Sequence, residues 1–403
     1  MYKERFLVAR DEEIKSGLTT DVYFLFTEEI IKKKKDIDVV MEFYARGFPD
    51  GQNWGVVSGV YEVLKLLEGK PVNVRAMEEG TVFLSDPRTV AYEPVLQVEG
   101  RYSEFARFEN PVLGFLCSMS GVATRAARLR VIADDKLLLS FGSRRAHPAI
   151  APAIEWSAFI GGADAVSNVI GARFIEQKPA GTMPHSLILI IGDQREAWKA
   201  FDEIVDKTVP RIALVDTLYD EKTEAIMAAE TLGRKLYGIR MDTPGSRKGN
   251  WRRIIDEVKW ELAVRGRSDI KIIVSGNVDD NVVNNLKDIV DGFGVGTYIS
   301  NAPSIDFSGK VVELIYPNGE RVPRAKRGDI SGKKQVYRNW ETFEDVIQLD
   351  RSKPLENYEP LLKDVMEKGK ILKAFLSPKE IREKTLKQLS LLKNAHPKVT
   401  WRI

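Results

Sequence analysis

Cysteine, histidine and long apolar runs are all scarce in this chain. Its 403 residues include one cysteine, Cys117, and three histidines. A lone cysteine forms no internal disulfide, and with so few imidazoles no cysteine-based zinc cluster can be assembled, which excludes structural zinc. No stretch approaches the ~20 consecutive apolar residues of a membrane-spanning helix. The opening MYKERFLVARDEE is charged from its third residue, too polar for the apolar centre of a secretory signal, so a cytoplasmic location and no membrane partner are expected. Charge of one sign is missing as well: 61 Lys and Arg stand against 58 Asp and Glu, leaving +3. That balance excludes a dedicated nucleic-acid binder, and any anion must be held by a local pocket. The run from Lys32 to Lys35 reads as the exposed end of a helix. Trp251, Trp260, Trp340 and Trp401 are too dispersed for a base-stacking platform and are assigned to core or interface.

What is present is globular composition, 43% hydrophobic and 30% charged, on a chain long enough for two or three domains at about 150 residues each. Residues 37 to 46 and 54 to 68 read as helix, followed by short extended runs at 72 to 76, 81 to 84 and 90 to 98 between turn residues. This predicts a small α+β unit over 1–109. From 110 to 305 a long helical stretch gives way to a strand-then-helix rhythm. Strands are expected at Leu137 to Phe141, Ala165 to Val169, Ile212 to Val215, Tyr237 to Met241, Ile270 to Val274 and Gly292 to Tyr298. The helices expected at 221 to 235, 250 to 265 and 279 to 289 have Asp220 and Asp279 as N-cap candidates. Apolar strands alternating with amphipathic helices predict a parallel sheet covered by helices, open or closed into a barrel. The segment 306–403 reads as a hairpin at 311–324 followed by helices at about 358 to 368 and 378 to 393, packing back on the first domain.

The chemistry collects where the apolar strands end. Leu137 to Phe141 runs into Gly142, Ser143, Arg144 and Arg145; Ile212 to Val215 runs into Asp216; Tyr237 to Met241 carries Arg240 and ends at Asp242. Ile270 to Val274 runs into Ser275, Gly276 and Asn277, and the last strand contains Gly294, Gly296 and Thr297. In a parallel α/β sheet or barrel all carboxyl ends lie on one face, so these separated segments converge on one pocket. The arginines offer planar forks for carboxylate or phosphate, and the aspartates accept from sugar hydroxyls or hold magnesium. Gly294 and Gly296 would let backbone N–H groups approach a phosphate, with the Thr297 hydroxyl as a further donor. His185, in the turn Gly181–Ser186, is placed for proton transfer or for accepting a phosphoryl group. His147 and His396 read as turn or helix-end groups. Any single Arg or Asp after a strand is more often a solvated loop residue; five strand ends together reverse that weighting.

These residues resemble the motifs of the nicotinate phosphoribosyltransferase family, a group it shares with quinolinate and nicotinamide enzymes. Thr20-Asp21-Val22-Tyr23 is similar to the family's T-D-x-Y, Phe141 to Arg145 to F-G-x-R, Gly162-Ala163-Asp164 to G-x-D, and Gly181 to His185 to G-T-x-x-H. Arg240 to Asp242 is similar to R-x-D, Ser275 to Asn277 to S-G-[ND], and Gly294 to Thr297 to the 5′-phosphate loop. The resemblance implies an N-terminal α/β sandwich joined to an irregular α/β barrel. It implies nicotinate and phosphoribosyl pyrophosphate as substrates, magnesium with the latter, and ATP where a phosphorylated His185 couples hydrolysis to synthesis. It also implies a homodimer or higher homo-oligomer with shared active sites, in which Tyr23 reaches the partner's site. Phe141 and Tyr23 would stack the pyridine, Arg144 and Arg240 would hold its carboxylate, Arg145 would join them in binding substrate, and Asp164 would orient the ring. Asp216 or Asp242 would stabilise the ribose. Ser275, Gly276, Asn277, Gly294, Gly296 and Thr297 would bind phosphate. No protein metal-ligand set is assignable from the sequence.

The expected activity is therefore synthesis of nicotinate mononucleotide and pyrophosphate in NAD salvage. The alternatives are a quinolinate phosphoribosyltransferase, which forms the same product with decarboxylation, and a non-catalytic nucleotide-binding protein on the same scaffold. Quinolinate enzymes are typically shorter and lack the G-T-x-x-H segment, so His185 and the chain length favour nicotinate.

Overall fold

The computed structural model describes residues 5–402. The chain divides into two compact units, one formed by residues 1–124 with 303–403, the other by residues 125–302. The helix Glu109–Ala133 contributes residues to both.

The first unit is built on a seven-stranded antiparallel sheet. Its spatial order is Arg321–Pro323, Phe307–Ile315, Asp38–Ala45, Pro94–Arg101, Val72–Ala76, Lys363–Glu367 and Lys370–Ile371. The tail packs back on the N-terminal residues: Phe307–Ile315 pairs with Asp38–Ala45 from end to end. The helix expected at 37 to 46 is thus a strand. Its run of Val, Met, Phe and Tyr lies between two neighbouring strands with every residue from Val39 to Ala45 buried. An apolar stretch covered on both faces carries no alternation to betray its period. Likewise 54 to 68 divides into the strand Trp54–Val56 and the helix Val60–Leu67, and the helix expected at 358 to 368 is the strand Lys363–Glu367. The helix Pro378–Leu392 forms as expected, started by a capping box between Ser377 and Glu380.

The second unit contains six parallel strands: β1 Leu137–Ser140, β2 Ala165–Val166, β3 Arg211–Leu214, β4 Leu236–Met241, β5 Lys271–Val274 and β6 Gly292–Val295. They form a curled half-barrel sheet in the order β2-β1-β6-β5-β4-β3. Placing the last strand beside the first brings segments more than a hundred residues apart to one rim. The helix caps fall where the sequence placed them: Asp220 accepts from the Thr223 N–H at 3.0 Å and Asp279 from the Val282 N–H at 2.8 Å. Two strands end early. Ser167 donates to the Ser140 carbonyl as β2 leaves the sheet, and Asn168 caps the next helix through the Gly171 N–H at 2.9 Å. After β6, Gly296 opens the short helix Thr297–Ser300.

Candidate active site

The candidate cluster lies in the second unit, at the carboxyl ends of its strands. The turn after β1 is locked to the turn after β6. Phe141 donates its N–H to the Val295 carbonyl at 2.8 Å, and its ring lies directly on Gly294, where a Cβ would come within 2.4 Å of Cε2. Gly142 is equally confined, with its missing Cβ 2.5 Å from Ser300 Cβ and 2.9 Å from the Gly296 carbonyl oxygen. Glycine is needed at 294 because an aromatic ring occupies the space of a side chain. Arg144 and Arg145 then form a single exposed 3-10 turn, closed by the Arg145 N–H on the Gly142 carbonyl at 3.0 Å, and their guanidinium groups make no hydrogen bond or ion pair among the described residues.

The ends of β3 and β4 meet at His185. Its Nδ1 lies 2.9 Å from the Thr217 hydroxyl. Its Nε2 faces Asp242 Oδ2 at 3.5 Å and Asp216 Oδ1 at 3.9 Å. The two aspartates are themselves joined, because Asp216 Oδ2 accepts the backbone N–H of Asp242. Arg240 projects from β4 into the loop that carries His185, donating to the Thr182 hydroxyl at 2.7 Å and to the Met183 carbonyl at 3.1 Å. Its Nε is buried with no hydrogen-bond partner. The guanidinium therefore braces the histidine loop as well as charging the pocket.

The electrostatics separate the two carboxyls. Burial pushes Asp216 up to about 7, against the pull of His185. Burial acts the same way on Asp242, but His185, Arg240 and the Ser275 hydroxyl outweigh it and hold that group below the usual carboxylate range. His185 is raised, first by Asp242 and then by Asp216. Arg240 is lowered by burial, and Arg144 acts on it in the same sense. At neutral pH Asp242 is thus the anion of the cluster and Asp216 is poised to exchange a proton.

Ser275, Gly276 and Asn277 follow β5 and adjoin the β6 turn. The Ser275 hydroxyl donates to Asp242 Oδ1 at 3.1 Å. Gly276 has φ +82°, and a Cβ there would stand 2.6 Å from the same Oδ1. Asn277 also has positive φ, +51°. Gly294, whose added Cβ would stand 3.2 Å from Ser275 Cβ, ties this turn to the one carrying Gly296 and the exposed Thr297.

One expected residue of this unit is not brought to the cluster. Asp164 lies at the amino end of β2, where its carboxylate takes the Arg130 guanidinium and the Leu138 N–H. Leu138 opens β1, and the strand-end position on β2 belongs instead to Ser167 and Asn168. Tyr23 belongs to the other unit, on the exposed first turn of the helix Val22–Lys34, with its ring tilted against Phe24 at 4.5 Å.

Sequence reasoning missed Thr182 and Thr217, which fix Arg240 and His185, although both stand within three residues of a residue it chose. It also missed Glu224, which is fully buried and whose carboxylate gathers the N–H groups of Thr217, Leu218 and Tyr219 after β3. Lys248, on the loop after β4, donates to the Gly276 carbonyl. Glu155 is a further omission. It is fully buried against Gly171, and burial pushes it up to about 7, against the weaker pull of the Ser140 hydroxyl and the Asn168 N–H. Neither of those donors closes to hydrogen-bond geometry. A glutamate on an apolar helix is the only signal the sequence holds for it.

Two family descriptions match: "Quinolinate phosphoribosyl transferase, C-terminal domain" over residues 122–310 and its N-terminal domain over residues 21–120. A solved structure described as nicotinate-nucleotide pyrophosphorylase from Pyrococcus furiosus is 48% identical, covers 97% of this chain and 99% of its own, and has a TM-score of 0.92. The nicotinate phosphoribosyltransferase pncB1 of Mycobacterium tuberculosis is 28% identical over 365 residues, 81% of this chain and 79% of its own. The chain belongs to the nicotinate phosphoribosyltransferase family. It is a phosphoribosyltransferase of NAD biosynthesis. The human nicotinic acid phosphoribosyltransferase shares the family fold at a TM-score of 0.74, with 19% identity, 95% of this chain and 97% of that chain covered.

Proposed function

We propose that this phosphoribosyltransferase joins nicotinate to 5-phosphoribosyl 1-pyrophosphate, yielding nicotinate mononucleotide and pyrophosphate in NAD salvage. The observation that carries this reading is the meeting of Arg240, His185, Asp216 and Asp242 at one rim of a phosphoribosyltransferase sheet. Phe141 offers a ring face to the pyridine, and Arg144 and Arg240 offer cations to its carboxylate. The pyridine nitrogen attacks ribose C1, the N–C1 bond forms, and the C1–O bond breaks as pyrophosphate departs with the electron pair. Positive charge gathers on the sugar in between. Asp242, held ionised, is the carboxylate suited to face it, whereas Asp216 is half protonated near neutrality. The ring nitrogen is its own nucleophile, so no activated serine or cysteine is required.

Magnesium would come with the pyrophosphate. Asp242 would support that ion from the protein side, with substrate oxygens as its other ligands. The ion's chemistry there is to neutralise charge on the leaving group. His185 Nε2 is the nitrogen for a phosphoryl group from ATP, because Nδ1 faces the Thr217 hydroxyl. We further assign a cytoplasmic location and a homodimer whose Tyr23 completes the partner's site.

The second reading, quinolinate phosphoribosyltransferase, is favoured by the description of the Pyrococcus furiosus structure. A second carboxylate needs a further cation, and Arg145 is exposed beside Arg144. The test offers nicotinate, nicotinamide or quinolinate with phosphoribosyl pyrophosphate and magnesium, with and without ATP, and measures mononucleotide and pyrophosphate. Product from nicotinate is expected. Product from quinolinate alone overturns the leading reading, and no turnover with any base leaves a nucleotide-binding protein. His185→Ala is expected to abolish ATP stimulation while sparing basal synthesis.

A further inference from the structure

The phosphate-binding turns assigned above are electrically incomplete. Ser275, Gly276, Asn277, Gly294, Gly296 and Thr297 supply hydroxyls, an amide and backbone N–H groups, but no cation. A phosphate monoester carries close to two negative charges at neutral pH, and neutral donors alone leave it poorly compensated. The loop after β4, Asp242-Thr243-Pro244-Gly245-Ser246-Arg247-Lys248, brings one ammonium to this place. Lys248 donates to the carbonyl of Gly276, the middle residue of the β5 turn. Its Nζ stands 3.7 Å from the centre of the Trp251 ring, which is itself buried.

The surroundings of that ammonium are unusual for a lysine. Among the described residues it forms no ion pair, and Asp242 and Asp279 act on it only at longer range. With one N–H on the carbonyl and the aromatic ring beside it, the ammonium keeps at least one of its three donors without a protein acceptor. A lysine of a purely structural kind is either solvated or matched to a carboxylate. This one is half-buried, held in place by Trp251, and short of an anion.

We propose that Lys248 is a substrate-binding residue that takes the 5′-phosphate of the phosphoribosyl substrate, bridging it to the Gly276 turn. The proposal rests on the phosphoribosyltransferase reading of the site and adds a residue to it. The cation is already seated on the turn that receives the phosphate, so the anion gains a charge-assisted hydrogen bond with little of the lysine's rotamer freedom left to lose. Trp251 keeps the ammonium from swinging to Asp242, which remains available to the ribose.

The test is calorimetric binding of ribose 5-phosphate and, separately, of inorganic pyrophosphate with magnesium, to the full-length enzyme and its variants. Lys248→Met, which keeps the stem against Trp251, is expected to weaken ribose 5-phosphate on the order of 10- to 100-fold and to leave pyrophosphate unchanged. Lys248→Arg restores most of the binding. In turnover, the KM for phosphoribosyl pyrophosphate rises in Lys248→Met while that for nicotinate does not. Lys248→Gln, uncharged but hydrophilic, is the second variant and must lose ribose 5-phosphate to the same degree. Unchanged ribose 5-phosphate affinity in either neutral variant overturns the proposal, as does equal weakening of both ligands. The binding assay needs no chemistry, so failure of the wild-type enzyme to use any base would count against the proposed function and leave the assignment of Lys248 separately testable.

Discussion

The Arg240 guanidinium donates to the Thr182 hydroxyl at 2.7 Å, linking the fourth strand to the loop that carries His185. A residue read from the sequence as a substrate-binding cation is also the brace of the catalytic loop. Arg240→Ala is therefore expected to reduce kcat/KM by more than the loss of one carboxylate contact, on the order of 1000-fold, and to abolish ATP stimulation of the residual synthesis. Thr182→Ala, which removes one of two anchors, is expected to cost about tenfold. Equal effects of the two changes would contradict the bracing role. Steady-state kinetics with both substrates varied decides it.

His185 owes its raised proton affinity first to Asp242 and then to Asp216. The folded value exceeds the unfolded one, so this pair contributes stability below the ordinary histidine range and loses it as pH rises through the folded value. With three histidines in the chain, a proton NMR titration resolves it readily. Asp242→Asn is expected to lower the His185 midpoint more than Asp216→Asn does. The reverse order would show that the partners have been ranked wrongly.

Asp164 pairs with Arg130 at the amino end of its strand. The pair is largely shielded, with side-chain exposures of 31% and 10%. Asp164→Ala leaves a guanidinium with carbonyl partners but no countercharge, and is expected to destabilise the protein by about 2–4 kcal/mol. The KM for nicotinate should stay within about twofold, since the side chain stands at the amino end of its strand. Thermal melting alongside kinetics separates the two effects.

Gly294→Ala places a methyl group against the Phe141 ring, 2.4 Å from Cε2. The ring must move, because the backbone on its other side is held by the Val295 carbonyl. The expected outcome is a rise in the KM for nicotinate of about tenfold or more with a smaller change for the phosphoribosyl substrate. A selective loss of the latter would show that Gly294 acts chiefly at the phosphate and not through the Phe141 ring.

Glu155 carries a stability penalty that grows with pH. Its folded value, about 7, lies above that of an exposed glutamate, so the unfolded chain releases its proton first. The fold loses stability as pH rises from the glutamate range through neutrality. Glu155→Gln should be more stable than the parent at pH 8 by about 2–3 kcal/mol and no different at pH 4. Chemical denaturation at the two pH values measures it.

Much of the site was legible in sequence because its residues sit immediately after apolar runs, and parallel strands deliver their carboxyl ends to one rim whatever their separation along the chain. Phe141, Asp216, Asp242 and Ser275 are all of this kind, and Arg240 and Gly294 stand in the last residues of their strands. The misplaced residue, Asp164, also adjoins an apolar run, but precedes it. A strand of only two residues, Ala165–Val166, is too short for its ends to be told apart by pattern. Lys248 and Glu155 were invisible for a different reason. Neither follows a strand directly, and what singles them out is the absence of a countercharge among the described residues, which no one-dimensional pattern records.

Local chemistry along the chain determined which segments are strands and helices in the second unit, where helices cap on Asp220 and Asp279, and which polar groups stand at strand ends. Those properties depend on residues a few positions apart. Only the tertiary structure decided that Asp38–Ala45 is a strand and that the tail completes its sheet. It also decided that two equivalent-looking aspartates, Asp216 and Asp242, differ in charge. Burial and the company of distant groups set those outcomes, and both come into being when the chain closes on itself.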